Sequence, residues 1–83
     1  MNLNDFMKII GTSDKVVIYE NKTIQNKPFI YKLVTTDMSE YFNAENAPNR
    51  EAFGNYEITH ITNLIDTDGI SKLSVTIMKW DKT

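Results

Sequence analysis

YEITHITNLIDTDGISKLSVTIMKW, residues 56–80, is the stretch of sequence that decides the fold class of this chain. Its second half alternates apolar and polar side chains, with Leu73, Val75 and Ile77 on one side, as a half-buried β-strand requires. Its first half is also rich in β-branched residues, and the four residues DTDG between the halves are typical of a turn. The stretch therefore predicts a β-hairpin made of the last two strands of the chain.

The first 36 residues predict a helix followed by two strands. Residues Asn2 to Ile10 carry apolar side chains at helical spacing, with Asn2 or Asn4 as the cap and Gly11 as a left-handed end. The strands are predicted over residues 15–20 and 29–35, with a polar loop over residues 21–27.

The middle of the chain predicts two short helical elements. Asp37 is suited to cap a turn of helix that presents Met38, Tyr41 and Phe42. A second element begins near Pro48 and ends before Gly54.

These elements indicate a single α+β domain over residues 1–83. We expect an antiparallel sheet of about four strands, with the N-terminal helix packed on one face. Several strands carry apolar residues on both sides, so one helix cannot cover the whole sheet. Either residues 37–55 cover the second face or another molecule does.

Composition excludes several classes of protein. The chain has 83 residues, no cysteine and a single histidine, which rules out disulfides, thiolate metal sites and cysteine nucleophiles. No apolar run is long enough to span a bilayer, and no secretion signal is visible, so we expect a cytoplasmic protein without membrane contact. A domain this small has little room for an enclosed pocket, which argues against an enzyme.

The net charge of −2 conceals an uneven distribution. Residues 1–36 carry +2, residues 37–68 carry −6, and the remaining residues carry +2. The acidic middle is therefore the strongest electrostatic feature of the sequence. The low overall charge gives no reason to expect direct binding of nucleic acid.

The candidate chemical motifs are all weak. His60 has no carboxylate nearby in the sequence except Glu57, and the Asp66–Asp68 pair lacks the later oxygen ligands of a calcium loop. Residues 27–32 interleave lysines and aromatics as single-strand binders do, but an amphipathic strand explains them better. We predict no catalytic residue, no metal site and no cofactor.

The opening MNLNDFMKII, followed by KVVIY at residues 15–19, resembles the start of small early proteins from phages and prophages of low-GC Gram-positive bacteria. It is similar in particular to the start of small type II-A anti-CRISPR proteins, which are acidic inhibitors of Cas9. The resemblance covers about the first 20 residues and implies a helix followed by a strand. No inhibitory residue can be transferred through it.

The predicted function is that of a small non-enzymatic phage or mobile-element protein that binds, and thereby inhibits, a host protein. A nuclease of a defence system is one such partner, because a basic nucleic-acid-binding surface would attract the acidic segment. The predicted partner-binding residues are Glu40, Tyr41, Glu45, Glu51, Glu57 and Trp80.

Two other functions stay open. One is a domain, monomeric or dimeric, that binds a small molecule or nucleotide through Tyr19, Tyr31, His60 and Trp80. The other is a self-associating accessory protein of a phage, and a homodimer is compatible with either.

Overall fold

A computed structural model describes residues 1–11, 13–43, 47–65 and 67–79 of the chain. These residues confirm the predicted α+β class. In chain order the elements are α1 (Leu3–Ile9), β1 (Val16–Ile24), β2 (Lys27–Thr36), α2 (Met38–Phe42), α3 (Ala47–Phe53), β3 (Glu57–Ile65) and β4 (Ser71–Met78).

The four strands form one mixed sheet in the order β2-β1-β4-β3. The predicted hairpin of β3 and β4 is confirmed, and β1 and β2 form a second antiparallel pair. The prediction of a purely antiparallel sheet is wrong at the centre, where β1 and β4 run parallel. The helical segment between β2 and β3 crosses the sheet from one edge to the other. The two antiparallel hairpins therefore meet at β1 and β4, which run in the same direction.

α1 forms where the apolar spacing predicts it. The side chain of Asn2 caps its start by accepting a hydrogen bond of 2.9 Å from the backbone N–H of Asp5. The predicted left-handed end at Gly11 is wrong, because the chain leaves the helix through Ile10 in an extended conformation, with φ −84° and ψ 161°.

The hydrophobic core lies between the three helices and one face of the sheet, which we call the inner face. α2 and α3 pack beside α1: the Tyr41 hydroxyl donates to Asn4 Oδ1 at 2.8 Å, and the Asn4 N–H donates to the Gly54 carbonyl at 2.9 Å. The described part of residues 37–55 therefore does not cover the second face. The buried cluster consists of Leu3, Phe6, Met7, Val16, Ile18, Tyr41, Val75 and Ile77.

The second, outer face carries no helix among the described residues. Val17 on this face is nevertheless only 1% exposed, because it lies between Thr35 of β2 and Ser74 of β4 in the two central registers. The short polar side chains around it remain in contact with water. Cover of this face by another molecule, the second alternative, stays a prediction.

The largest departure from prediction is the connection between β1 and β2. Residues 21–27 do not form a loop, because β1 continues to Ile24 and β2 begins at Lys27. Gln25 and Asn26 make the whole turn, with φ of 51° and 64°. Two successive left-handed residues are the requirement of a type I′ turn, whose twist matches that of the strands it joins.

Candidate functional site

The β1–β2 hairpin continues past the end of the pairing between β1 and β4. The parallel pairing of β1 with β4 ends at Glu20 and Ile77, whereas β1 and β2 stay paired as far as Ile24 and Lys27. At about 3.4 Å per residue, the two-stranded part projects roughly 13 Å past the four-stranded sheet. We call residues 20–32 the hairpin arm.

The inner face of the arm carries three exposed apolar side chains among charged ones. The cross-strand pairs Glu20–Tyr31, Lys22–Phe29 and Ile24–Lys27 alternate with outward-facing pairs, so all six side chains share this face. Ile24, Phe29 and Tyr31 are 43%, 43% and 42% exposed. Glu20, at the base of the arm, is only 7% exposed, and neither Phe29 nor Tyr31 belongs to the buried cluster of the described residues.

Phe29 and Tyr31 lie side by side on this face. Their ring centroids are 6.2 Å apart and their planes are inclined by 30°. On the opposite face of the arm, Ile30 is 64% exposed beside Asn21. Both sides of β2 therefore present apolar side chains to water over the same short stretch.

The arm is also basic. It carries Lys22, Lys27 and Lys32 against one carboxylate, that of Glu20, which lies 3.8 Å from Lys22 Nζ. Lys79 follows the end of β4, and its side chain lines a shallow groove beside the arm together with residues 20–23 and Met78. A negatively charged partner would be attracted to this region.

The predicted acidic surface is divided and partly neutralised. Lys15 Nζ lies 3.3 Å from the Asp37 carboxylate and 2.9 Å from that of Glu40. Hydrogen bonds from Lys15 to Glu40 and Asp37 raise the Lys15 pKa above its usual value. The bond that Asp37 accepts from the Glu40 backbone N–H, aided by Lys15, lowers the Asp37 pKa below its usual value. This network anchors the start of α2.

The other predicted carboxylates lie apart from this network. Glu51 is exposed on α3, whereas Glu57 lies on β3 opposite Met78 and faces away from the helices. The Glu57 carboxylate accepts a hydrogen bond of 3.4 Å from the N-terminal ammonium group. Glu45 lies outside the described residues. Of the predicted carboxylates that the structure describes, Glu40 and Glu51 lie on the helical side of the molecule.

The two predicted aromatic contacts have different outcomes. Tyr41 does not belong to the surface, because its side chain is 1% exposed and packs in the core. Its ring stands edge-on to that of Phe42, with 5.0 Å between the centroids. Burial raises the pKa of the Tyr41 phenol to about 12. Trp80 lies outside the described residues.

The described residues of the alternative ligand site do not converge. Tyr19 and His60 both neighbour Thr76 on the outer face, whereas Tyr31 lies on the inner face of the arm. The His60 ring contacts the Thr59 hydroxyl at 3.1 Å. No carboxylate is recorded beside this ring in the described part of the chain, so the geometry shows no general acid–base pair at His60.

Within residues 1–11, 13–43, 47–65 and 67–79, no three potential ligand side chains cluster as a metal site would require. None of the helices in those ranges has the length and apolarity to cross a membrane.

Neither the known protein-family models, nor the curated proteins, nor the solved structures include a match to this chain.

Proposed function

We propose that this chain is a non-enzymatic binding protein that uses the hairpin arm as its main contact with another protein. The exposed cluster of Ile24, Phe29 and Tyr31 carries this proposal. A two-stranded ribbon gains little stability by itself, and the exposed parts of its apolar side chains stay in water unless a partner covers them. Aromatic side chains in such positions supply much of the energy of protein interfaces.

The narrower proposal is that the partner is a host protein, such as a nuclease of a defence system, and that binding inhibits it. The resemblance of the N-terminus to phage proteins and the charge of −6 over residues 37–68 support this. In this proposal Glu40 and Glu51 steer a basic surface of the partner towards the helical side, while the arm supplies the apolar contact.

Capture of partners from a bacterial host lysate, quantified by mass spectrometry, tests whether the arm is the contact surface. The tagged double variant F29T/Y31T is expected to retain at least tenfold less of any specific partner than the unmodified chain. Threonine keeps a high β propensity, so the hairpin is preserved while the aromatic contact area is lost.

The matched control is I61T/I65T, which removes two exposed apolar side chains from β3, 47% and 74% exposed. It should retain the partner at the level of the unmodified chain. Equal retention by the arm variant and the control would exclude the arm as the contact surface. Circular dichroism of both variants checks that the fold is intact.

Charge reversal tests the acidic part of the proposal separately. A variant with lysine at Glu40, Glu45, Glu51 and Glu57 should associate with a basic partner more slowly, and the difference should shrink as the salt concentration rises. If the association rate at low salt is unchanged, the acidic residues do not steer the partner. The proposal that the arm makes the apolar contact would still stand.

A further inference from the structure

We infer that the partner of the arm supplies an extended segment that adds to the outer edge of β2 as a fifth strand, and that this segment carries two carboxylates around an apolar centre. This inference rests on the proposed function and specifies the chemistry of the partner.

β2 is the more accessible of the two edges of the sheet. The other edge, β3, is paired at its start by residues 1–3: the Leu3 N–H donates to the Tyr56 carbonyl at 3.0 Å, and the Ile58 N–H donates to the Met1 carbonyl at 3.1 Å. β2 is ten residues long and has no such cover among the described residues. A long exposed edge presents unpaired backbone groups that accept another strand.

Two features of β2 limit where a strand can add. Pro28 has no N–H to donate. The register with β1 shifts between Ile18 and Tyr19, which leaves Leu33 as an extra residue in β2 and bends the edge there. The regular part of the edge is therefore residues 29–32, which also present Phe29 and Tyr31 on one face and Ile30 on the other.

The two lysines of β2 favour an added strand that carries carboxylates. Lys27 lies on the inner face and Lys32 on the outer face, and together they flank the apolar centre. β2 itself carries no carboxylate, so a second copy of β2 at this edge would bring further lysines and no negative charge to Lys27 and Lys32. A segment with carboxylates five positions apart would instead place one opposite each lysine.

Three synthetic hexapeptides, blocked at both ends, test this inference with the full chain. The first, Glu-Thr-Val-Ile-Val-Glu, has the inferred pattern. The second replaces both glutamates with lysine, and the third replaces the valine at position 3, which would pair with Ile30, with proline. Binding is followed by NMR, through amide shifts and amide exchange of residues 29–32.

We expect the first peptide to bind and to slow amide exchange within residues 29–32. The lysine peptide should bind at least tenfold more weakly because of charge repulsion. The proline peptide should also bind at least tenfold more weakly, because it keeps the charges but cannot complete the backbone ladder. The substitution Lys27→Gln should weaken the first peptide, whereas Lys8→Gln on α1 should not.

Several results would overturn the inference. Equal binding of the proline peptide would show charge attraction without strand addition. Tighter binding of single-stranded oligothymidylate at the same residues would identify the arm as a nucleic-acid surface instead. If no peptide binds while F29T/Y31T still loses its captured partner, strand addition is wrong and the proposed function stands.

Discussion

Replacing Gly54 with alanine is expected to destabilise the protein by about 2–3 kcal/mol and to lower its melting temperature by roughly 10–20 °C. A Cβ at this position would collide with the Arg50 carbonyl oxygen and with the side-chain amide of Asn4. Neither can easily withdraw, because the Arg50 carbonyl accepts the Gly54 N–H at 2.8 Å and the Asn4 amide accepts the Tyr41 hydroxyl. The alanine would therefore push α1 and α3 apart.

Thermal and urea denaturation followed by circular dichroism measure this effect. Gly11→Ala is the matched control, because a Cβ there meets only the Asp14 carboxylate, at 3.1 Å, on a side chain that can rotate. We expect the control to lie within about 1 kcal/mol of the unmodified protein. A Gly54→Ala protein as stable as the control would show that the contact between α1 and α3 is loose.

Much of the fold could be predicted because local patterns specify its elements. The alternation around Leu73 and Val75, followed by Ile77, indicates a strand whatever lies beside it. Pairing between distant strands has no such local signal. The parallel contact of Val16 with Leu73 depends on where the helical segment crosses the sheet, and no short pattern in the sequence encodes that path.

The hairpin arm is the part of the fold that the sequence analysis did not predict. Residues 21–26 are mostly polar, and Gln25-Asn26 is a much weaker type I′ signal than Asn-Gly. A two-stranded projection has water on both faces, so its strands do not need the apolar alternation that identifies a half-buried strand. The exposed Ile24 and the lysines around it could have indicated a ribbon instead of a loop.

The candidate site was harder to predict than the fold, because exposure depends on the whole molecule. Phe29 and Tyr31 have the spacing of a core-facing strand, but they are exposed and do not belong to the buried cluster. Tyr41 has the opposite outcome: it lies in an acidic segment, yet its side chain is on the side of α2 that meets α1. The net charge of −2 also gave no sign of the arm, because it sums the positive charge of the arm with the negative charge of residues 37–68.

The stability of the protein should fall between pH 10 and pH 12 through the ionisation of Tyr41. Burial raises its pKa from 10.0 to about 12 in the folded chain, against an opposing effect of Arg50. In the unfolded chain the phenol ionises near pH 10, so the folded state is favoured fully below pH 10 and loses this advantage as the pH approaches 12. Two pH units correspond to about 2–3 kcal/mol.

Tyr41→Phe separates this effect from other ionisations. At pH 7 the variant should be less stable by about 1 kcal/mol, because Asn4 Oδ1 loses the hydrogen bond of 2.8 Å from the hydroxyl. Near pH 12 the order should reverse, since phenylalanine has no proton to lose and the wild-type phenol does. Tyr31→Phe, on the exposed arm, is the control for the loss of a hydroxyl at pH 7 and should not change the unfolding free energy. Urea titrations at pH 7, 10 and 12 measure the unfolding free energies of the wild type and of Tyr41→Phe. If the difference between the two free energies is the same at all three pH values, the Tyr41 phenol is accessible to water. That result would contradict its place between α1 and the sheet.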